Sequence, residues 1–319
     1  MDDVLFQLTA LFHVLVFPGF VFLVLVALFA EWVDRMLYAR LQNRIGPPWF
    51  QPFADFLKLV AKQEIVPELA DKGMFKLTPL VALASVVTAL LYIPLWSHDA
   101  LFAFPGDVIV VMYLLTIPTV TFFLGGWYSR SMFSMIGAAR TLMQLFAYEI
   151  PLFLSILAPA LLANTWSLTA MSHYYAAHPA YAAFNVIGFC VALVALLGKL
   201  ERVPFDSPEA ETEIVAGAFT EYSGRRLAFF RLAISIEMIV GASLLAAVFL
   251  PFGLGLGSVA GFVLYLVKVF AIVAVLTLMR TLFARLRIDQ MINFCWKIGA
   301  PVAFVQLLID LIAKGALGV

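Results

Sequence analysis

Apolar runs of about 20 residues, the number a helix needs to cross a hydrocarbon core about 30 Å thick, recur along this chain between polar segments. Eight such runs are expected to span a membrane as helices, at residues 5–30, 78–96, 108–126, 142–163, 181–200, 232–250, 259–278 and 298–317. Pro94, Pro118, Pro151 and Pro159 lie within or at the ends of these runs, where neighbouring helices satisfy the carbonyls a proline frees.

Two connecting segments are too long for simple turns. In the first, about 31–77, Pro52 opens a stretch in which Phe53, Phe56, Leu57 and Val60 repeat at i, i+3, i+4 and i+7, with Asp55, Lys58 and Lys62 elsewhere. That spacing predicts an interfacial amphipathic helix. It serves either as an anchor for the loop or as one wall of a cavity at the membrane surface. Gly46-Pro47-Pro48 just before it enforces a stiff turn.

The second segment, about 201–231, is dense in carboxylates: Glu201, Asp206, Glu209, Glu211, Glu213 and Glu221. Pro208 is expected to open a helix that puts Glu209 and Glu213 on one face, about 6 Å apart. Like charges at that distance raise each other's pKa, which suits proton uptake; an ordinary solvated acidic face is the alternative. Gly217 and Gly224, with Phe219 and Tyr222 between them, point to a folded loop.

Composition narrows the class. With 64% hydrophobic and 13% charged residues over 319 positions, a water-soluble enzyme is excluded. Twenty Lys and Arg cancel twenty Asp and Glu, leaving no bulk basic surface for nucleic acid. Seventeen of those basic residues fall in the odd-numbered loops and none in the even ones. The odd loops are therefore expected to be cytoplasmic and both termini outside, in a multi-pass protein of the plasma membrane. Met1-Asp2-Asp3 lacks a basic n-region, so retention of the first helix is expected. No internal repeat or linker divides the chain, which reads as one membrane domain over 1–319 and argues against a standalone transporter built on inverted repeats.

Cys190, Cys295, His13, His98, His173 and His178 show no spacing suited to iron–sulfur, haem or zinc. No cofactor or metal is expected in this chain, and both cysteines read as small core hydrophobes.

Six charges fall inside spans or at their edges: Glu149, Lys199, Glu237, Lys268, Asp310 and Lys314. A central Lys or Asp costs about 2.5–3.5 kcal/mol on insertion scales, so each must face protein or water. Lys199 sits where it can snorkel to the interface. Glu149 and Glu237, a turn or two inside their spans, extend the acidic loop inward as a proton entry path that continues to Lys268 near the centre of the seventh span. Asp310 and Lys314, at i and i+4, read as an intrahelical ion pair.

These motifs resemble a known family. Asp34-Arg35, Gln42-Asn43-Arg44-Ile45-Gly46-Pro47, Gln51-Pro52-Phe53-Ala54-Asp55 and Lys58-Leu59 are similar to the first cytoplasmic loop of the membrane protein at the quinone site of complex I, called the H subunit in bacteria. Pro204-Phe205-Asp206-Ser207-Pro208-Glu209-Ala210-Glu211-Thr212-Glu213 and Thr220-Glu221-Tyr222-Ser223-Gly224 resemble that family's most specific loop. Lys268, Arg285-Leu286-Arg287-Ile288-Asp289-Gln290 and Trp296-Lys297 match its seventh span and last loop.

The resemblance implies an all-α integral membrane protein with eight spans, itself carrying no catalytic residue. It also implies an ion path through Glu149, Lys268, Asp206, Glu209, Glu211, Glu213 and Glu221, to which the buried charges read above add Glu237 and the loop adds Glu201. Subunit docking would then involve Arg35, Arg40, Arg44, Asp55, Lys58, Tyr222, Arg285, Arg287 and Asp289; Phe50, Phe53 and Phe219, apolar side chains on loops, are expected to dock partners as well. The implied partners are iron–sulfur and hydrogenase-like large peripheral subunits, antiporter-like membrane subunits and the lipid bilayer. Iron–sulfur clusters and a nickel–iron centre would belong to those partners.

Two departures stand out. Lys199 occupies a position where the family usually has Glu, with Glu201 following. The stretch Gly46-Pro47-Pro48-Trp49-Phe50-Gln51 is shorter than in complex I and resembles the anchor subunits of energy-converting nickel–iron hydrogenases, formate hydrogenlyase and sulfane reductases. A ferredoxin-dependent complex of that branch is expected; a quinone-reducing complex I is the alternative.

Overall fold

In a computed structural model that describes residues 9, 11–255 and 257–317, eight helices are long and apolar enough to cross a membrane, and no strand occurs among the described residues. The protein is an all-α integral membrane protein. The reading of Met1-Asp2-Asp3 and the start of the first span at residue 5 lie outside the described residues.

The spans are α1 (Phe20–Leu41), which continues a helical stretch from Leu11; α3 (Lys72–Leu90); α4 (Asp107–Tyr128); α5 (Met132–Leu162); α7 (Val186–Lys199); α8 (Gly224–Phe249); α9 (Ser258–Leu282); and α11 (Ala300–Leu317). Shorter helices are α2 (Gln51–Ala61), α6 (Leu168–Ala177) and α10 (Ile288–Phe294). A 3-10 segment, Pro179–Asn185, leads into α7, and a π-helical segment, Cys295–Gly299, joins α10 to α11.

Several helices outrun the apolar runs that announced them. α5 begins ten residues before the expected position 142, and α1 continues to Leu41 rather than ending near residue 30. Hydropathy locates the part of a helix that tolerates lipid, whereas the backbone ladder continues for as long as each N–H finds its i−4 carbonyl.

α8 is the central strut. In its most apolar 18-residue window 94% of positions are buried, as its near-uniformly apolar circumference dictates. α1, α3, α7 and α9 pack around it. Against α7 the approach is close: a Cβ added to Gly241 would lie 2.6 Å from Leu196 Cδ1. That contact lies one helical turn from Glu237 on one side and about one turn from Lys199 on the other.

The connections sort to two ends. At the basic end Arg226 of α8 pairs with Glu64, Leu286 N–H donates to the Pro204 carbonyl at 2.9 Å, and Arg140 reaches Glu213 at 2.7 Å. At the opposite end His173 meets Asp99 at 3.0 Å, and Asp107 Oδ1 accepts from Leu168 N–H at 2.6 Å.

The predicted amphipathic helix is α2, opened by a buried Pro52, with Phe53 and Phe56 packed onto the core. Leu57 departs from the expected buried face, being 65% exposed.

Candidate functional site

The loop after α7 folds back over the basic end of the bundle and forms the roof of a cavity of about 340 Å³. Glu201, Asp206 and Glu209 line it from the loop, Glu31 and Asp34 from α1, and Glu237 with Arg231 from α8. Two devices seat the loop. Gln144 of α5, fully buried, donates to both the Gly198 and the Phe205 carbonyls at 2.7 and 2.8 Å, pinning the turn that carries Lys199 and Glu201. Gly217, at φ +53°, lies against Gly137 of α5 so closely that a Cβ on Gly137 would come within 2.6 Å of Gly217 Cα. The far end of the loop is held by Tyr222, stacked on Phe75 at 4.0 Å with its hydroxyl 3.2 Å from Thr78.

Lys199 is not a snorkelling residue. Its ammonium lies 2.8 Å from Glu237 Oε1, with the side chains 2% and 0% exposed, and also donates to the Leu115 carbonyl. The reason is directional: Lys199 is the last residue of α7, and Cα–Cβ bonds tilt toward a helix's N-terminus, here into the bundle. Beyond the pair a small cleft is lined by Thr116, Tyr148, Glu149 and Lys199, where Thr116 Oγ1 donates to Glu149 Oε1 at 2.8 Å. Cavity, ion pair and Glu149 thus form a continuous run of ionisable groups, with the Lys199 ammonium between Glu237 and the Glu149 cleft.

The cavity wall also holds a network that sequence reasoning missed. Asp34, fully buried, accepts from Arg202 at 2.6 Å, Arg280 at 2.9 Å and Thr277 at 2.6 Å. It fastens α1, the loop and α9 together. Two acids one turn apart in an otherwise apolar stretch, Glu31 and Asp34, were the available signal; the partners of Asp34 lie 168 and more residues away in sequence.

Glu201 is buried with one carboxylate oxygen unpartnered among the described residues. Burial, then the charges of Glu209, Glu237 and Asp206, holds its carboxyl well above the usual carboxylate range.

The structure corrects several expectations. Pro208 does not open a helix: only one helical turn, Glu211–Ile214, forms, and Glu209 and Glu213 part. Glu209 turns inward to Arg231 at 2.9 Å. Glu213 faces Arg140 and Arg285, and Arg140 chiefly holds its carboxyl below the ordinary range. The opposed arginines outweigh the local helical preference. Glu221 is half-buried, and the Glu211 side chain lies outside the described residues.

Lys268 does not extend the run from Glu149. It donates to the Leu250 and Phe252 carbonyls, the former at 2.6 Å, and lies 4.3 Å from the Phe252 ring centroid, where it satisfies the carboxyl end of α8. Asp310 and Lys314 do not pair: Asp310 accepts from Gln306 at 3.0 Å and Lys314 donates to Asn164 at 2.7 Å. Cys190 is exposed on the bundle's flank, whereas Cys295 is buried.

Of the expected docking residues, Tyr222 and Phe219 are buried and serve the loop's own core. Arg35 is committed to Glu31 and to Asp55 at 2.8 Å, tying α1 to α2. Arg40, Arg44, Lys58, Arg287 and Asp289 remain exposed at the basic end, beside Trp49 and Phe50, with Arg285 half-buried among them.

This architecture defines a class: a multi-pass helical membrane subunit with charged groups buried inside its bundle beneath a structured acidic loop. The chain belongs to the NADH dehydrogenase family of complex I H-type subunits, whose family model matches residues 13–311. It is 34% identical over 299 residues to the H subunit of NADH-quinone oxidoreductase from Bacillus thuringiensis strain Al Hakam, covering 88% of this chain and 87% of that one. The corresponding protein of Bacillus cereus strain B4264 is 35% identical over 297 residues, with the same coverage. Among solved structures, a chain of the membrane-bound sulfane sulfur reductase, an archaeal respiratory membrane complex, shares the fold with a TM-score of 0.80 over 91% of this chain and 96% of that one, at 24% identity. The chain is a membrane subunit of a complex-I-like assembly.

Proposed function

We propose that this chain is the membrane anchor and ion-path subunit of a plasma-membrane respiratory complex, coupling electron transfer in peripheral iron–sulfur subunits to movement of protons or sodium ions. The observation that carries this reading is the buried Lys199–Glu237 pair between an acidic cavity and the Glu149 cleft. Ionisable groups at such depth are costly and characteristic of ion pathways. The odd loops face the cytoplasm, both termini face outward, and the exposed basic and aromatic residues of loop 1–2 receive a peripheral subunit.

The complex is of the ferredoxin-dependent hydrogenase or sulfane-reductase type, a reading supported by the short Gly46-Pro47-Pro48-Trp49-Phe50-Gln51 turn into α2. A second reading, reduction of a quinone, is favoured by the names of the Bacillus relatives. A groove of about 340 Å³ between α1, α2 and α8, in which Leu28, Phe56 and Leu232 lie beside Arg35, Asp55 and Arg231, also supports it.

Purification of the intact complex separates the two. A large subunit with four nickel–iron cysteines and no quinone reductase activity in purified membranes is expected; quinone reduction by a complex without those cysteines would overturn the branch assignment.

A further inference from the structure

In the half of the bundle away from the acidic cavity, a buried acid serves neither the run described above nor the ion pair its spacing suggested. Asp310 of α11 is fully buried, and Lys314, one turn on, is engaged by Asn164. A carboxylate at such depth costs several kcal/mol unless a positive charge or proton compensates it.

The donors around it can be counted. Gln306, fully buried, has two amide N–H groups, and one nitrogen serves both the Phe184 carbonyl at 2.8 Å and Asp310 Oδ2 at 3.0 Å. Its oxygen accepts from Gly188 N–H at 3.3 Å. Tyr175 has one hydroxyl proton, which it donates to the Pro159 carbonyl at 3.0 Å. Asn185 spends its amide on the Tyr175 hydroxyl at 2.9 Å.

Two buried oxygens, Asp310 Oδ1 and Asn185 Oδ1, then have no donor among the described residues. Gln306 and Tyr175 draw them to one locality. Gln306 bonds both Asp310 and the carbonyl preceding Asn185, while Tyr175 bonds Asn185 and interacts electrostatically with Asp310. The backbone at this point is the 3-10 segment Pro179–Asn185, of which Asn185 alone is buried.

We propose that Asp310 and Asn185 form a site for one monovalent cation, a proton or Na⁺, held by a carboxyl and a carboxamide oxygen in the half of the bundle opposite the acidic cavity. As a proton site, Asp310 is neutral and donates to an oxygen acceptor; as a sodium site, both oxygens serve as hard ligands. Titratable groups on the elements packed here are His173, Tyr174 and Tyr175 of α6, Tyr181 of the 3-10 segment, Cys190 and Lys199 of α7, Arg140, Tyr148 and Glu149 of α5, Cys295 and Lys297 of the π-helical segment, and Lys314 of α11 itself. Among these only Tyr175 interacts electrostatically with Asp310. Among the described residues no cation lies within ion-pair distance of Asp310, whose one hydrogen-bond donor is the neutral Gln306 amide.

The test reads the resting, purified complex and needs no electron transfer, so it stands or falls separately from the coupling role. Infrared difference spectra between wild type and Asp310→Asn, taken in sodium-free potassium buffer, are expected to contain a protonated-carboxyl band that disappears on alkalinisation. Loss of that band on adding NaCl at constant pH, but not KCl, identifies Na⁺; insensitivity to NaCl identifies the proton alone. In case the variant fails to assemble, the wild-type complex is treated with a hydrophobic carbodiimide, which reacts with protonated carboxyls in apolar surroundings, and Asp310 is read by mass spectrometry. Its adduct is expected to fall about tenfold per pH unit above the titration midpoint. A permanently ionised Asp310, indifferent to pH and Na⁺ and unmodified at acid pH, would overturn the proposal.

Discussion

Lys199 and Glu237 face each other at 2.8 Å, one at the end of α7 and the other a few turns into α8, both out of reach of solvent. Removing one partner of a buried pair leaves a bare charge and costs about 3–5 kcal/mol, whereas replacing both with apolar groups is often neutral. Lys199→Met is therefore expected to impair assembly, and Lys199→Met with Glu237→Leu to restore it. Native gels and thermal denaturation of the purified complex measure this; a single variant as stable as wild type would show that the pair holds nothing.

Glu149 accepts one hydrogen bond, from Thr116, which glutamine can retain. Glu149→Gln is expected to assemble and to preserve electron transfer with artificial donors, while gradient formation in reconstituted vesicles drops at least tenfold, about 1.4 kcal/mol on the limiting step. Undiminished gradients, read with pH- and sodium-sensitive dyes, would remove Glu149 from the path. Lys268→Met is expected instead to lower stability, because it leaves the Leu250 and Phe252 carbonyls without their donor.

The Asp34 network predicts a stability effect. Asp34→Asn removes the charge facing Arg202 and Arg280 and is expected to cost about 3 kcal/mol. A melting temperature within a degree of wild type would refute this role.

Glu201 supplies a pH dependence. Its carboxyl titrates above the ordinary value near 4.5, so between that value and its folded-state pKa the unfolded chain has lost a proton that the folded chain keeps. The unfolded state then binds fewer protons, and stability falls as pH rises through this window. Glu201→Gln is expected to flatten that slope and to be the more stable protein at neutral pH. Melting curves from about pH 5 to about pH 8 check the sign.

Orientation is testable with exposed positions at the two ends, Ser97 and Gln63. In a Cys190→Ala background, Ser97→Cys is expected to react with an impermeant maleimide added to whole cells and Gln63→Cys only after lysis. The reverse pattern would invert the topology.

The amino-acid sequence by itself determined the eight spans, because a bilayer demands a fixed length of apolar helix. It also determined that α2 is a helix, because apolar residues at helical spacing after Pro52 mark an amphipathic one, although Leu57 faces outward. The choice of partner for each charge belonged to the tertiary structure. Asp310 and Lys314 had ideal helical spacing yet bond to Gln306 and Asn164, and Glu209 and Glu213, also at i and i+4, turn to different arginines. Local spacing offers a pair a few tenths of a kcal/mol, while burial sets charge-compensation costs several times larger. Lys199 joins Glu237, and Asp34 joins Arg202 and Arg280, because helix packing brings together residues that sequence separates by 38, 168 and 246 positions.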